Sequence, residues 1–208
     1  MRQLILLLLF IPIDSFGQTA TEYFNIAKQK HLNGDNYGAV AALTKSIELK
    51  PNNVGSYYNR GFYKSQLKDY YGSIADNTKA IEINPNFAPA YYNRGLSKMN
   101  LKDNYGAIAD YTKAIEINPN FAAAYLNRGL SKMNLKDNYG AIADYTKAQE
   151  VSPEIMTSSE INNYTSAYLN RGIAKENIGD LKGACGDWKK AADLDSTTAA
   201  KWVKEVCN

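Results

Sequence analysis

Arginine and aspartate recur along the chain in a pattern that would form ion pairs. Four arginines are each followed by an aspartate sixteen residues later: Arg60 with Asp76, Arg94 with Asp110, Arg128 with Asp144, and Arg171 with Asp187. The equivalent upstream positions hold Ile26 and Ala42, so the two charged residues are present together or absent together. We therefore predict four structural ion pairs, against the alternative of independent surface charges. A partly buried pair would specify register more clearly than it would add stability.

An asparagine precedes each of these arginines and forms a second recurring group: Asn59, Asn93, Asn127 and Asn170, with Asn25 at the equivalent upstream position. The residues near it are mainly aromatic or aliphatic: Tyr58, Tyr92, Leu126, Phe62, Leu96, Leu130, Met99 and Met133. An amide is both a donor and an acceptor, so amides beside apolar side chains suit the backbone of an extended peptide. The alternative is that the asparagines only support the fold.

The residue types needed for catalysis or metal binding are scarce. His31 is the only histidine and lies far along the chain from the two cysteines, Cys185 and Cys207, whereas a zinc site needs three or four ligands. The chain has no glycine-rich phosphate loop and no GxSxG sequence. The recurring carboxylates are spread one per unit along the chain. We expect no enzyme activity, no metal site and no cofactor.

Lysines recur as well, but the formal net charge is only +3. Lys98 and Lys113 represent two recurring lysine positions, and Asp103 and Glu116 represent two recurring acidic positions beside them. We interpret these stripes as solvated faces whose charges screen each other. The balance argues against nucleic acid or an anionic membrane as the main partner.

The N-terminus has the layout of a secretory signal peptide. Arg2 precedes an apolar run from Leu4 to Ile13, and the small residues Ser15 and Gly17 follow. We predict a signal peptide at residues 1–17 that is cleaved after Gly17. The run is shorter than the ~20 residues that span a bilayer, so an uncleaved anchor is the less favoured alternative, and no other segment would insert into a membrane. The mature protein is then exported, either periplasmic or secreted.

A 34-residue repeat determines the helices on which these residues lie. Prolines stand 34 residues apart at Pro51, Pro85, Pro119 and Pro153, and residues 93–114 are identical to residues 127–148. In one unit, residues 90–101 and 105–117 predict two helices of about three turns each. Asp103 or Asn104 would cap the second helix, and Pro119 would end it. One such pair cannot bury its own apolar face, so successive pairs must stack.

This pattern resembles the tetratricopeptide-repeat family over residues 20–196. The units are predicted at residues 20–53, 54–87, 88–121, 122–155 and 165–198, with an insertion at 156–164 and a capping helix at 199–208. The resemblance implies an all-α, right-handed superhelical solenoid of five helix-turn-helix units plus the C-terminal capping helix. One departure from the family pattern is that the aromatic residue after the capping aspartate is displaced by one position, as in Asn104-Tyr105.

In the family, the first helices line a concave groove, which implies that the asparagines and apolar residues named above are peptide-binding groove residues. A second family mode clamps a C-terminal carboxylate with lysines. It is disfavoured here, because one of the two lysine positions it needs holds other residues: Thr21, Gly55, Pro89, Ala123 and Ser166. The leading interpretation is an exported module that binds a partner protein or an extended peptide. The alternatives are an envelope structural or assembly subunit that acts through its edges and cap, and, less favoured, a small-ligand binder.

The two cysteines both lie near the C-terminus. Export implies an oxidising compartment, in which cysteines tend to pair. Cys185 falls on the second helix of the last unit, and Cys207 falls on the capping helix that packs against that unit. A disulfide between them and two buried free thiols remain the two possibilities.

Overall fold

A computed structural model describes residues 18–151 and 158–207 of the chain. The predicted signal peptide at residues 1–17 and the first part of the predicted insertion lie outside these ranges. The described residues form α-helices joined by short turns: α1 (Ala20–Leu32), α2 (Asn36–Leu49), α3 (Val54–Gln66), α4 (Tyr70–Ile83), α5 (Ala88–Asn100), α6 (Asn104–Ile117), α7 (Ala122–Asn134), α8 (Asn138–Glu150), α9 (Ser158–Asn177), α10 (Leu181–Asp193) and α11 (Thr197–Val206).

The helices pack in the order in which they follow one another along the chain. The most extensive contacts join the two helices of each pair, α1 with α2 through α9 with α10, and the next most extensive join each pair to the following one. The first helices of neighbouring units also contact each other directly, as α3 does with α5 and α5 with α7, whereas the second helices make no comparable contacts. The first helices therefore lie on the inner, concave side of an all-α solenoid.

Each second helix begins at an aspartate, as the capping pattern predicted. The Asp103 carboxylate accepts a hydrogen bond of 2.9 Å from the backbone nitrogen of Gly106, which satisfies one of the donors left unpaired at a helix start. The four other second helices begin in the same way at Asp35, Asp69, Asp137 and Asp180. A Cβ on Gly106 would overlap the Asp103 carboxylate as it is now oriented, so a larger residue here would require the Asp103 side chain to shift.

The core is built from small residues and a few large rings. Ala107 and Ala114 on α6 are fully buried, and the Tyr111 ring between them lies against Gly95 of α5. A Cβ at Gly95 would lie 2.7 Å from Cε1 of Tyr111. The absence of a side chain at this position is therefore what lets the ring enter the space between the two helices.

The second unit departs from this arrangement. Asn77 stands where the third unit has Tyr111, and its Nδ2 donates to the backbone oxygen of Ser73 at 2.9 Å. The Ser97 hydroxyl of the third unit donates to the Ser73 hydroxyl at 2.8 Å. A buried polar cluster thus replaces an aromatic ring between the second and third units.

The predicted insertion at residues 156–164 is in large part helical. Helix α9 begins at Ser158, ahead of the predicted start of the fifth unit at Thr165, and continues to Asn177. The Tyr164 and Tyr168 hydroxyls lie 3.2 Å apart on this helix. Residues 158–164 of the insertion therefore lengthen the first helix of the last unit at the point where the 34-residue spacing is interrupted.

Helix α11 covers the end of the array. Trp202 of α11 packs against Trp188 of α10 with ring centroids 5.2 Å apart, and Ala199 is fully buried. The two cysteines form a disulfide, Cys185–Cys207, with Cα atoms 5.6 Å apart. Of the two possibilities left open by the sequence, the structure has the bridge.

Candidate peptide-binding groove and the charge network that positions it

All four predicted Arg–Asp pairs are present. In each, the arginine Nε and Nη2 donate to the two carboxylate oxygens, as Arg94 does to Asp110 at 2.9 Å and 2.7 Å. The same fork joins Arg60 to Asp76, Arg128 to Asp144, and Arg171 to Asp187. The Asp110 side chain is only 5% exposed, so the pair is shielded from solvent. Planar, bidentate pairing of this kind fixes the orientation of one helix on the other.

Each of these aspartates also binds a lysine. Lys98 Nζ lies 2.8 Å from Asp110 Oδ2, and the equivalent contacts are made by Lys64, Lys132 and Lys175. The prediction of a solvated face is therefore wrong for these four lysines, because each buried carboxylate holds the ammonium group close to the protein. In the first unit, where Ala42 replaces the aspartate, Lys30 turns to Asp35 at 2.9 Å.

A threonine of the preceding unit completes the network. The Arg94 Nη1 donates to the Thr78 hydroxyl at 3.0 Å, across the boundary between the second and third units. The other three arginines reach Thr44, Thr112 and Thr146 in the same way. Sequence reasoning missed these threonines, although a signal was present. The threonine recurs in units one to four, and the arginine recurs in units two to five. Every unit that has the arginine therefore follows a unit that has the threonine.

An aromatic ring lies beside each arginine. The guanidinium of Arg94 is 5.6 Å from the centroid of Tyr91, and that of Arg171 is 5.4 Å from Tyr168. Burial disfavours the charge of Arg171, but the hydrogen bonds and charge of Asp187 outweigh it, so the pKa of Arg171 is raised. Burial, with the neighbouring Tyr164 hydroxyl, raises the pKa of Tyr168 to about 12.

Aromatic and aliphatic side chains line the concave side of the first helices. The Tyr58 ring packs edge-on against Phe87 at 5.2 Å, and the Tyr92 ring lies 4.9 Å from Phe121. The predicted groove residues around them are all half-buried: Phe62, Leu96, Met99, Leu126, Leu130 and Met133. Phe87 and Phe121, each directly before a first helix, were not among the predicted residues. We call this surface the groove floor.

The recurring asparagines do not act alike. Asn59 Nδ2 donates to the Gly55 backbone oxygen at 2.7 Å. Asn127 Nδ2 donates to both the Ala123 backbone oxygen at 2.9 Å and the Tyr92 hydroxyl at 3.0 Å. Asn170 is half-buried on α9. A uniform ladder of free amides, as the sequence suggested, is therefore not what the structure has, because two of the amides already bond their own helix.

Asn93 is the exception among them. It is 8% exposed, and its buried Nδ2 has no hydrogen-bond partner among the described residues. Burial raises the pKa of Tyr58, and Asn93 opposes this through a hydrogen bond to the Tyr58 hydroxyl whose geometry is too poor to satisfy the amide donor. Burial also raises the pKa of Tyr92. Both phenols therefore remain neutral over the physiological range and can donate or accept hydrogen bonds on the groove floor.

His31 closes the N-terminal end of the groove floor. Its ring stacks on Tyr63 at 4.5 Å and meets Phe62 edge-on at 5.8 Å. Its Nδ1 lies 2.7 Å from Asn36 Oδ1, so the ring is held by packing and one hydrogen bond. Within the described ranges, no group of three or more histidine, cysteine or acidic side chains is arranged to hold a metal ion. No helix in that part of the chain is both long and apolar enough to cross a bilayer.

Comparisons with known proteins identify the type of repeat. Sequence profiles of the tetratricopeptide repeat match residues 54–87, 88–121 and 122–155. The fold is similar to the crystal structure of MamA protein, with 26% identity, a TM-score of 0.74, and coverage of 87% of this chain and 94% of that one. A search of curated proteins gave no significant match.

Two further similar structures contain the same fold. The structure of YrrB, described as a TPR protein with an unusual peptide-binding site, is 20% identical with a TM-score of 0.71 and covers 89% of this chain and 92% of that one. The first TPR of Spaghetti (RPAP3), bound to the HSP90 peptide SRMEEVD, is 24% identical with a TM-score of 0.55 and covers 57% of this chain and 97% of that one.

Proposed function

The chain belongs to the tetratricopeptide-repeat family, and on that premise we propose that it is an interaction module that binds an extended segment of a partner protein on its groove floor. We also propose that it is exported, periplasmic or secreted, because residues 1–17 have the composition of a signal peptide. Two proteins of similar fold are described with peptide sites or peptides bound. No catalytic role is part of this proposal.

One observation carries the proposal: the unused donor of Asn93 in the middle of an apolar floor. A buried polar group without a partner costs about 1–3 kcal/mol. A backbone carbonyl of a bound strand would accept from this amide once the adjacent Tyr58 side chain rotates away. The rings of Tyr58 and Tyr92 and the thioether of Met99 would cover the side chains of that strand. The ligand therefore gains burial, and its carbonyl replaces the poorly aligned contact between Asn93 and Tyr58 with a better hydrogen bond.

The groove floor also limits the kind of peptide that fits. Its aromatic, aliphatic and amide residues are uncharged, and at the equivalent positions charged residues occur only in the end units, at Lys28 and Glu176. Lys28 lies over the Phe24 ring at 4.8 Å. A strand with uncharged, apolar side chains at its centre is therefore favoured over an acidic or basic one.

The test selects peptides from a displayed library of uncharged, apolar-rich twelve-residue segments, and measures the best binder by isothermal titration calorimetry. Asn93→Ala should weaken binding roughly two- to tenfold, for the loss of one neutral hydrogen bond. The same change should leave the free energy of unfolding unchanged or raised, because it removes an unsatisfied buried group. Adding Asn127→Ala to this variant should weaken binding little further, because the Asn127 amide already donates to Ala123 and Tyr92.

The matched control is Asn59→Ala, whose amide donor is already used by Gly55. If Asn93→Ala binds the selected peptide as tightly as the unchanged protein does, the groove floor is not the site. The alternative function, a structural or assembly subunit that acts through its edges, then becomes the better proposal.

A further inference from the structure

Four tyrosines are exposed at the same place in the first four units. They are the second residues of α2, α4, α6 and α8 and are 74% to 77% exposed: Tyr37, Tyr71, Tyr105 and Tyr139. All the remaining tyrosines, which the groove floor and the core account for, are buried or half-buried. Single exposed apolar residues are normal on a protein surface. A ring repeated at one position in four successive units is a surface feature that the core and the groove floor do not explain.

The turns that carry these rings form one continuous edge. Asn134 Nδ2 of the fourth unit donates to Asn104 Oδ1 of the third at 3.2 Å, and Asn104 directly precedes Tyr105. Asn177 Nδ2 of the fifth unit donates to Asn138 Oδ1 of the fourth at 3.3 Å, and Asn138 directly precedes Tyr139. The turns of the last three units therefore lie side by side, and the stacking of equivalent units continues the line of rings to Tyr71 and Tyr37. We call this line the tyrosine edge.

The rings of the tyrosine edge are uncovered. The residue that follows each one is a glycine, and the residue four positions later, on the same face of the helix, is an exposed alanine: Ala41, Ala75, Ala109 and Ala143. No ring–ring or cation–ring contact among the described residues involves any of the four. Their flat faces remain open to solvent.

Polar groups of both kinds flank the rings. Lys68, Lys102 and Lys136 adopt left-handed backbone angles, with φ of 62° to 65°, where the first and last units have Gly34 and Gly179. A lysine is strained in this region, and these three have no ion-pair partner among the described residues. An aspartate follows each lysine and caps the next helix, so the formal charge of each turn is balanced.

These features decide between classes of partner. A stable protein interface needs about 800 Å² of contiguous surface on each side with an apolar centre, whereas the tyrosine edge offers single rings separated by charged and amide groups. A nucleic acid would need cations without nearby carboxylates. A linear chain of uncharged sugar rings fits this surface, because it needs neither a continuous apolar area nor cations without nearby carboxylates. Each sugar can place its apolar CH face on a tyrosine, and its hydroxyls can bond lysine, asparagine and aspartate, which together donate and accept.

We infer that the tyrosine edge binds a linear, uncharged polysaccharide, with a sugar ring stacked on each tyrosine. The site is separate from the groove floor, since the rings lie at the turns and on the second helices, and it does not depend on peptide binding. The balanced charge of the turns complements an uncharged chain. Repetition along four units gives weak single contacts a combined affinity through multiple attachment.

Calorimetric titration of the folded chain with three hexasaccharides tests this inference: cellohexaose and chitin hexasaccharide, which are uncharged, and an alginate hexasaccharide, which is anionic. At least one uncharged hexasaccharide should bind. Tyr105→Ala and Tyr139→Ala should each weaken that binding by roughly two- to tenfold, the range of one aromatic contact. Tyr105→Phe should retain it, because the ring face is kept.

The control variants are Leu49→Ala, which removes an exposed apolar side chain 56% accessible to solvent and outside the tyrosine edge, and Asn93→Ala on the groove floor. Both should bind the hexasaccharide as the unchanged chain does. Circular dichroism should show the same helicity in every variant, since the four rings are exposed. Absence of binding to both uncharged hexasaccharides, or unchanged binding after all four tyrosines are replaced by alanine, overturns the inference. Tighter, salt-sensitive binding of the alginate hexasaccharide also overturns it, in favour of a cationic surface.

Discussion

At the scale of single residues, each of units two to five depends on one shielded carboxylate that binds two cations. Asp110 binds the fork of Arg94 and the ammonium of Lys98, and Arg94 extends on to Thr78 of the unit before. Each carboxylate thus holds two helices of its own unit together and, through the arginine, joins that unit to its neighbour. The first unit has no neighbour upstream within the array, and there Ile26 and Ala42 replace the pair.

Replacing this carboxylate should be costly. Asp110→Asn leaves Arg94 and Lys98 without their counter-charge in a site where the aspartate side chain is 5% exposed. We expect the free energy of unfolding in urea to fall by about 3–5 kcal/mol. Glu116→Gln in the same unit, whose partner Lys113 is well exposed, should change stability little. Equal effects of the two changes would show that the network is a surface feature.

The buried phenols predict how stability falls at alkaline pH. Burial, followed by the charges of Tyr92 and Asp110, raises the pKa of Tyr111, and burial with Asp144 raises that of Tyr145. In the unfolded chain a tyrosine titrates near pH 10. The stabilising contribution of these two groups is therefore complete below about pH 10. It is lost as pH rises toward their folded pKa, by roughly 1.4 kcal/mol per pH unit for each group.

The double variant Tyr111→Phe, Tyr145→Phe should accordingly lose less stability than the unchanged protein between about pH 10 and pH 11.5. Urea midpoints measured across this range provide the comparison. Tyr105→Phe is the control, because its hydroxyl meets solvent in both the folded and the unfolded chain. Identical pH slopes for the double variant and the unchanged protein would contradict the prediction.

At the scale of elements, the helix pairs are limited by how closely two backbones can approach. Gly95 on α5 faces the Tyr111 ring, and Gly129 on α7 faces the Tyr145 ring. If either glycine were alanine, its added Cβ would lie 2.7 Å from Cε1 of Tyr111 or 2.8 Å from Cε1 of Tyr145. Those rings are fully buried and cannot move aside. The same geometry recurs in both units because their sequences are identical over this stretch.

Two glycine-to-alanine substitutions distinguish the effect of close helix approach on stability from the effect of helix propensity. Gly95→Ala should lower the free energy of unfolding by about 1–3 kcal/mol, because the methyl group overlaps the Tyr111 ring. Gly186→Ala on α10 should raise it by about 0.5–1 kcal/mol, because nothing lies within 4 Å of its added Cβ and alanine favours the helix. Thermal unfolding of both variants checks the prediction. A stabilised Gly95→Ala variant would mean that the two helices separate without cost.

At the scale of the whole molecule, the array is closed at its C-terminal end and tied there. Helix α11 covers Trp188 and Ala191 of the last pair, and the Cys185–Cys207 bridge spans 22 residues. Because a solenoid is stabilised by interfaces between neighbouring units, loss of this cap should reduce the stability of the last unit more than that of the others.

The double variant Cys185→Ser, Cys207→Ser should lose about 3 kcal/mol of stability in the chain-entropy estimate. Dithiothreitol should lower the unfolding midpoint of the unchanged protein by a similar extent and leave that of the variant where it is. Hydrogen exchange should show the loss concentrated in α10 and α11. Two titratable thiols in the unfolded, unreduced protein would contradict the presence of the bridge.

Much of this architecture follows from the sequence alone. Helix pairs follow from the 34-residue spacing, the capping aspartates and the terminal prolines. An array of pairs follows because one pair alone cannot bury its apolar face. The joint presence of arginine and aspartate was enough to assign their pairing, because the residues occupy fixed positions on the two facing helices. The extent of α9 was not predictable in this way, since residues 156–164 lie outside the repeat and have no second copy for comparison.

Only the tertiary structure decided what each polar group does. The sequence gives every recurring asparagine the same position, yet Asn127 bonds Tyr92, Asn59 bonds its own helix, and the donor of Asn93 is unused. The preceding unit places a tyrosine beside both Asn93 and Asn127, so the two amides differ in geometry and not in the type of residue they meet. Likewise, Thr78 reaches Arg94 because successive units stack, and Lys98 reaches Asp110 because the two helices of one unit pack together. A repeat fixes which residues are equivalent, whereas contacts between units that differ in sequence fix how equivalent residues are used.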